Sequence, residues 1–159
     1  MKPEPKLVGI AQLVIARAPE QLCCLGLGSC VAVFLYDPTT KLGGIVHILL
    51  PRAPANCEKE EKYADTGIRK LVRDMLARGA KKEALRAKLV GGAQMFPNLN
   101  VNVHDIGKEN CEAAKRILRD LRIRVSADDT EGTRGRSATY DLDDGHVTIK
   151  MAFGPEKII

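Results

Sequence analysis

A chain of 159 residues, 45% of them hydrophobic, has the length and apolar material for one compact domain spanning 1–159. No stretch approaches the about 18 apolar residues of a membrane-spanning helix, and the opening Met1-Lys2-Pro3-Glu4-Pro5 lacks the apolar run of a secretory signal, so a cytoplasmic protein with no direct membrane insertion is expected. Five cysteines, two of them adjacent, argue against a disulfide framework; a net charge of +5 would suit an acidic partner, but three Phe, three Tyr and no Trp offer few stacking platforms, so no nucleic acid is expected as a partner.

Leu7 to Ala16 is apolar and β-branched enough for a first strand. Val31-Ala-Val-Phe-Leu-Tyr36 reads as a second, nearly continuous buried strand, and Gly43 to Leu50 as a third. Asp37-Pro38-Thr39-Thr40 between them has turn chemistry, with Pro38 suited to the second position of a type I turn, so a hairpin is expected. From Glu60 onward Ala64, Ile68, Leu71, Val72, Met75 and Leu76 recur at helical spacing, and Arg78-Gly79 supplies the stop. The solvated face of that helix, with Arg69, Lys70, Arg73 and Arg78, accounts for much of the basic charge.

A strand through Leu85 to Val90 runs into Gly91-Gly92-Ala93. Lys108 to Leu121 then places Cys111, Ala114, Ile117, Leu118 and Leu121 on one face of a second long helix. Ile123 to Ala127, a polar loop from Thr130 to Ser137, and two alternating segments flanking Asp143-Asp144-Gly145 complete the chain. Without a regular β-α-β alternation, the fold class is α+β, with mixed or antiparallel sheets forming a sandwich-like core covered by two long helices.

Chemistry concentrates at Leu25-Gly-Leu-Gly-Ser-Cys30, where a cysteine follows a glycine-rich loop and precedes a buried strand. Backbone amides around Gly28 and Ser29 can approach a ligand closely there, as an oxyanion site requires. No Lys-Ser or Lys-Thr pair follows, which excludes a phosphate-binding P-loop. A two-residue turn centred on Pro38-Thr39 sets Cys30 directly opposite His47, with Cβ atoms about 5 Å apart. A free thiol with a pKa near 8.5 is only about 3% thiolate at pH 7, and an adjacent imidazolium can bring that pKa below about 6.

Taken singly, Cys30 and His47 have structural explanations, since buried cysteines and core histidines are common. His104 and His146 fall in expected loops or turns, Cys57 reads as a loop thiol and Cys111 as a helix-core residue. Zinc binding by Cys23, Cys24, Cys30 and His47 is disfavoured, because C-C-x5-C is no familiar zinc spacing. No metal is expected.

Taken together, Leu25 to Val33 and His47-Ile-Leu-Leu-Pro51 resemble the signature of the CheD family of chemoreceptor glutamine deamidases. Gly91-Gly-Ala-Gln-Met-Phe96 is similar to the family's second motif, Ile106-Gly107 with Asn110 to its third, and Gly135-Arg136 to its fourth, so the resemblance runs from Leu7 to about Phe153. It implies a β-sandwich-like hydrolase related to deamidating bacterial toxins, which turns glutamines of methyl-accepting chemotaxis receptors into glutamates without a cofactor. It also implies docking on a CheC-type response-regulator phosphatase. Cys30 matches the family's nucleophile and His47 its base. Two positions depart from the pattern: Cys24 stands where the family's assisting threonine is expected, and Glu131-Gly132 where a glycine pair is expected. A binding module with weak catalysis is the alternative that Cys24 keeps open.

Overall fold

All seven residues of Val31–Asp37 are buried, which a strand achieves only when both of its faces are covered. The computed structural model, which describes residues 2–96 and 105–159, shows both covers. The strands are β1 (Lys6–Leu7), β2 (Leu13–Arg17), β3 (Gln21–Leu27), β4 (Val31–Asp37), β5 (Leu42–Ile48), β6 (Arg86–Gly91), β7 (Arg124–Thr130), β8 (Arg136–Asp141), β9 (Val147–Met151) and β10 (Lys157–Ile158). The helices are α1 (Ala64–Ala77) and α2 (Ile106–Asp120).

The strands form two five-stranded mixed sheets, ordered β1-β3-β8-β9-β10 and β2-β5-β4-β6-β7. Alternation along β4 gives each of its faces a separate core. Val31, Val33 and Leu35 join Ile68, Leu71 and Met75 of α1 and Ala114, Ile117 and Leu118 of α2 in one apolar cluster. Ala32, Phe34 and Tyr36 join Leu22, Cys24, Leu27, Ala138 and Tyr140 in another, between the sheets. The expected sandwich with two helices laid over it is what the chain forms.

Local chemistry sets the helix ends. At the end of α1, Gly79 at φ +103° lets its N–H reach the Leu76 carbonyl at 3.1 Å while the Ala80 N–H reaches Met75 at 3.0 Å, a Schellman closure at the glycine the sequence marked as a stop. At the start of α2, the Asp105 carboxylate accepts from the Lys108 N–H at 3.0 Å.

Three readings need correction. The expected first strand is two: β1 and β2 are separated by a loop, because residues 9–12 fold back around His47 instead of continuing extended. Gln21–Leu27 is a strand in its own right, broken by a bulge that contains Gly26 at φ +62°. The β4–β5 hairpin closes through four residues, 38–41, so Ala32 and not Cys30 stands opposite His47. Asp37 sets that loop, accepting from the Thr39 N–H at 2.8 Å and the Thr39 hydroxyl at 2.6 Å through Oδ1, and from the Lys81 N–H at 2.8 Å through Oδ2. Burial by itself raises a carboxyl pKa, but these hydrogen bonds outweigh it and hold Asp37 at about 2. The reading of His104 lies outside the described residues.

Candidate active site

The register moves by two residues from the expected one, an even number, so His47 keeps its face. Val46 and Ile48 point to the helices and Ile45 to the second sheet, which puts His47 on the inter-sheet side together with Cys30. The two residues are diagonal across the β4–β5 pair instead of directly opposed.

A backbone cradle orients His47. Its N–H donates to the Gln12 carbonyl at 3.0 Å, its carbonyl accepts from Ala11 at 2.9 Å, and its Nδ1 lies 3.0 Å from the Val8 carbonyl. A carbonyl only accepts, so Nδ1 carries the ring proton and Nε2 holds a free lone pair. Nε2 is buried and has no hydrogen-bond partner among the described residues, so neither the Cys30 nor the Cys24 thiol engages it in the resting site. Val8 is itself anchored, its N–H donating to Cys23 at 2.8 Å beside the β1–β3 pairing.

The glycine-rich loop is held by its carbonyls. Gly28 accepts from the Ala93 N–H at 2.9 Å, Ser29 from the Asn110 side chain at 2.9 Å and Cys30 from the Gly92 N–H at 2.8 Å. Close approach explains the second and third glycine motifs: a Cβ on Gly91 would lie 2.3 Å from the Cys30 oxygen, and one on Gly107 would lie 2.5 Å from the Ala93 oxygen. The first turn of α2 therefore sits directly against Gly92 and Ala93, whose N–H groups hold the loop that carries the thiol. Beside the loop a cleft of about 180 Å³ opens, lined by Ser29, Ala93, Gln94, Met95, Ile106 and Gly107.

Electrostatics run against a preformed ion pair. Burial pushes the Cys30 thiol above its usual pKa, although hydrogen bonding from its own backbone N–H pulls it down. Burial likewise lowers His47 below 6.5, opposed by the Val8 carbonyl. Both shifts favour a neutral thiol and a neutral imidazole over the thiolate and imidazolium that the sequence leads one to expect. This arrangement suits a histidine that takes the proton as the sulfur attacks.

Cys24 is fully buried on β3, in the same cluster as Cys30. Burial first, and then the neighbouring Cys23 and Cys30, push its thiol to about 12, so it stays protonated. His146, paired with Asp144 at 2.9 Å, is exposed, and Cys111 packs within α2 against the Gly91 carbonyl. Among the described residues no group of three or more His, Cys, Asp or Glu side chains could hold a metal ion.

Sequence reasoning passed over Val8 and gave Arg136 and Asn110 no role beyond their place in the family motifs. Val8 acts through its carbonyl, which any residue supplies, so no signal marks it. Arg136 is buried, and its guanidinium donates to the Asp129 carbonyl at 2.7 Å and to those of Glu131 and Arg134, fixing the loop whose Gly132 carbonyl accepts from Gln94 at 2.8 Å. Asn110 was visible as a polar residue in register with Ala114, Ile117 and Leu121, a face that is otherwise apolar.

A family model described as CheD chemotactic sensory transduction matches residues 49–151. The chain is 40% identical to the chemoreceptor glutamine deamidase CheD of Thermotoga maritima over 153 residues, 96% of each chain. It is 44% identical to a probable chemoreceptor glutamine deamidase CheD of Desulforamulus reducens, over 96% of this chain and 93% of the relative. A similarly named protein of Pyrococcus abyssi is 42% identical over 95% and 94%. Among solved structures, the Bacillus licheniformis hypothetical protein YfiH aligns with a TM-score of 0.46 and 18% identity, over 76% of this chain and 49% of its own. The family match begins beyond His47, whereas the full-length relatives span Cys30 and His47 as well.

Proposed function

This chain belongs to the CheD family, and on that premise we propose that it hydrolyses glutamine side-chain amides of methyl-accepting chemotaxis receptors to glutamate, with Cys30 as nucleophile and His47 as general base and acid. The observation that carries this reading is the imidazole: pinned through Nδ1 by the Val8 carbonyl, with Nε2 bare, on the same inter-sheet face as Cys30. A histidine kept only for packing has no need of a buried, unpartnered nitrogen, which costs about 1–3 kcal/mol.

The Cys30 sulfur attacks the amide carbonyl while its proton passes to Nε2. Backbone N–H groups of the Gly28 to Cys30 loop stabilise the developing oxyanion. The imidazolium returns its proton to the amide nitrogen, the C–N bond breaks and ammonia leaves a thioester on Cys30. His47 then takes a proton from water, hydroxide adds to the thioester, and collapse releases glutamate and the protonated thiol. Histidine thus serves both half-reactions, and the residues named provide each proton transfer.

Cys24 supports a second reading, in which the chain docks on receptors or on a CheC-type phosphatase with little catalysis. A protonated thiol in place of a hydroxyl is a weak hydrogen-bond partner and does not reach Nε2 at rest. Mass spectrometry of a receptor cytoplasmic fragment incubated with the protein separates the two. Each converted glutamine gains about one dalton, the outcome expected of thiol-dependent amide hydrolysis. No mass change on any fragment that the protein demonstrably binds would leave only the docking reading.

A further inference from the structure

Asn110 is 0% exposed, on a stretch of α2 that also buries Gly107, Cys111 and Ala114. Its Nδ2 donates to two carbonyls, that of Ser29 at 2.9 Å and that of Leu49 at 3.0 Å. Both partners only accept, so the amide is fixed with its nitrogen towards them. Its Oδ1 is buried and has no partner among the described residues. An apolar side chain at this core position carries no such orphaned oxygen, so the amide is a cost to packing that its two donated bonds must explain.

Those two bonds fall where the β4–β5 ladder stops. Val31 and Ile48 form its last pair, and one further step would set Cys30 beside Leu49. Ser29 precedes the nucleophile by one residue, and Leu49 follows the histidine by two. On its other side, the end of β4 is held by backbone, through Gly92 to Cys30 and Ala93 to Gly28. On the β5 side the side chain of Asn110 takes over that duty, bridging two strand ends with one nitrogen.

We propose that Asn110 is a positioning residue that sets the separation of Cys30 and His47 across the open end of the β4–β5 pair. The inference rests on the Cys30–His47 reading above. Loss of the bridge frees the two strand ends to part, and a misplacement of about 1 Å at reacting groups costs on the order of a hundredfold in rate.

The test uses iodoacetamide, which reports on Cys30 without any glutamine substrate. Labelling of Cys30 at pH 7 is followed by peptide mass spectrometry in the unaltered protein, His47→Ala, Asn110→Ala and the double variant, alongside melting curves. His47→Ala and Asn110→Ala should each slow labelling by about tenfold or more, and the double variant should be no slower than the slower single, because both act on one proton transfer. Deamidation by Asn110→Ala should lose kcat by on the order of a hundredfold while KM stays within about threefold. Ile117→Ala, which weakens the same helix away from the bridge, should keep the normal labelling rate and kcat per folded molecule. Asn110→Asp preserves size but cannot donate twice, and it should share the defect if Asn110→Ala does not fold. A folded Asn110→Ala that labels at the normal rate overturns the proposal, as does a penalty that adds in full to that of His47→Ala. Unchanged labelling in His47→Ala itself defeats the Cys30–His47 reading instead, and the positioning role with it.

Discussion

The two faces of β4 do different work. Towards the helices, Val31, Val33 and Leu35 belong to a layer of mainly aliphatic side chains from α1, α2 and the neighbouring strands, with Met75 and Cys111 among them. Towards the second sheet, Ala32, Phe34 and Tyr36 share a layer with two thiols and with Tyr140, which meets Phe34 edge-on at 5.1 Å between ring centroids. His47 belongs to this second layer through the alternation of β5. On the proposed mechanism stability and chemistry are sorted onto opposite faces of the same strands, and Asn110 of α2 links the two at the strand ends.

The largest effect should come from Cys30→Ala, which removes the sulfur on which the proposed thioester forms: deamidation measured by mass shift should vanish while the melting curve barely moves. His47→Ala comes next. Loss of a general acid and base typically costs 10²–10⁴ in rate, so a drop of more than about a hundredfold is expected in a folded variant. Early melting with activity per folded molecule retained would make His47 a packing residue and erase the contrast between the two faces.

The helix-side layer supplies the converse test. Leu71 is fully buried in it, and Leu71→Ala should cost about 2–5 kcal/mol in denaturant unfolding while leaving kcat per folded molecule unchanged. A matching fall in kcat would show that the two layers are coupled.

Acid should weaken the folded protein partly through His47. Its folded pKa lies below the ordinary 6.5, so between those values the unfolded chain binds the extra proton and stability falls as pH drops through that window. The slope from this one group is at most about 1.4 kcal/mol per pH unit. Denaturant midpoints for His47→Gln should depend less on pH below about 6.5, and an unaltered slope would place the linkage on other groups.

The smallest effects should be those at Cys24. A neutral hydrogen bond is worth about 1 kcal/mol, or roughly fivefold in rate, and His47 Nε2 has no partner among the described residues. Cys24→Ala should therefore slow deamidation by less than about tenfold, and Cys24→Thr should preserve or raise it. A loss as complete as that of Cys30→Ala would mean that the two thiols act as a unit.

The elements were legible from local chemistry. Helical spacing from Ala64 with the Gly79 stop located α1, the run from Val31 to Tyr36 located a strand buried on both sides, and the four glycine-containing motifs pointed to the family. Gln21–Leu27 was missed because Gly26 and its bulge interrupt the pattern of a regular strand. The hairpin register was misjudged because Asp37 folds its carboxylate over Thr39 and Lys41 adopts φ +54°, lengthening a turn that Pro38-Thr39 seemed to define.

What the sequence alone determined is therefore the set of reactive residue types, their order and the faces of the strands that bear them, because side-chain alternation survives a two-residue change in register. Only the tertiary structure decided the tautomer of His47, the burial that disfavours charge on both partners and the bridge from Asn110. Those depend on carbonyls of Val8, Ser29 and Leu49 and on depth of burial, and a backbone carbonyl is the same group whatever residue carries it.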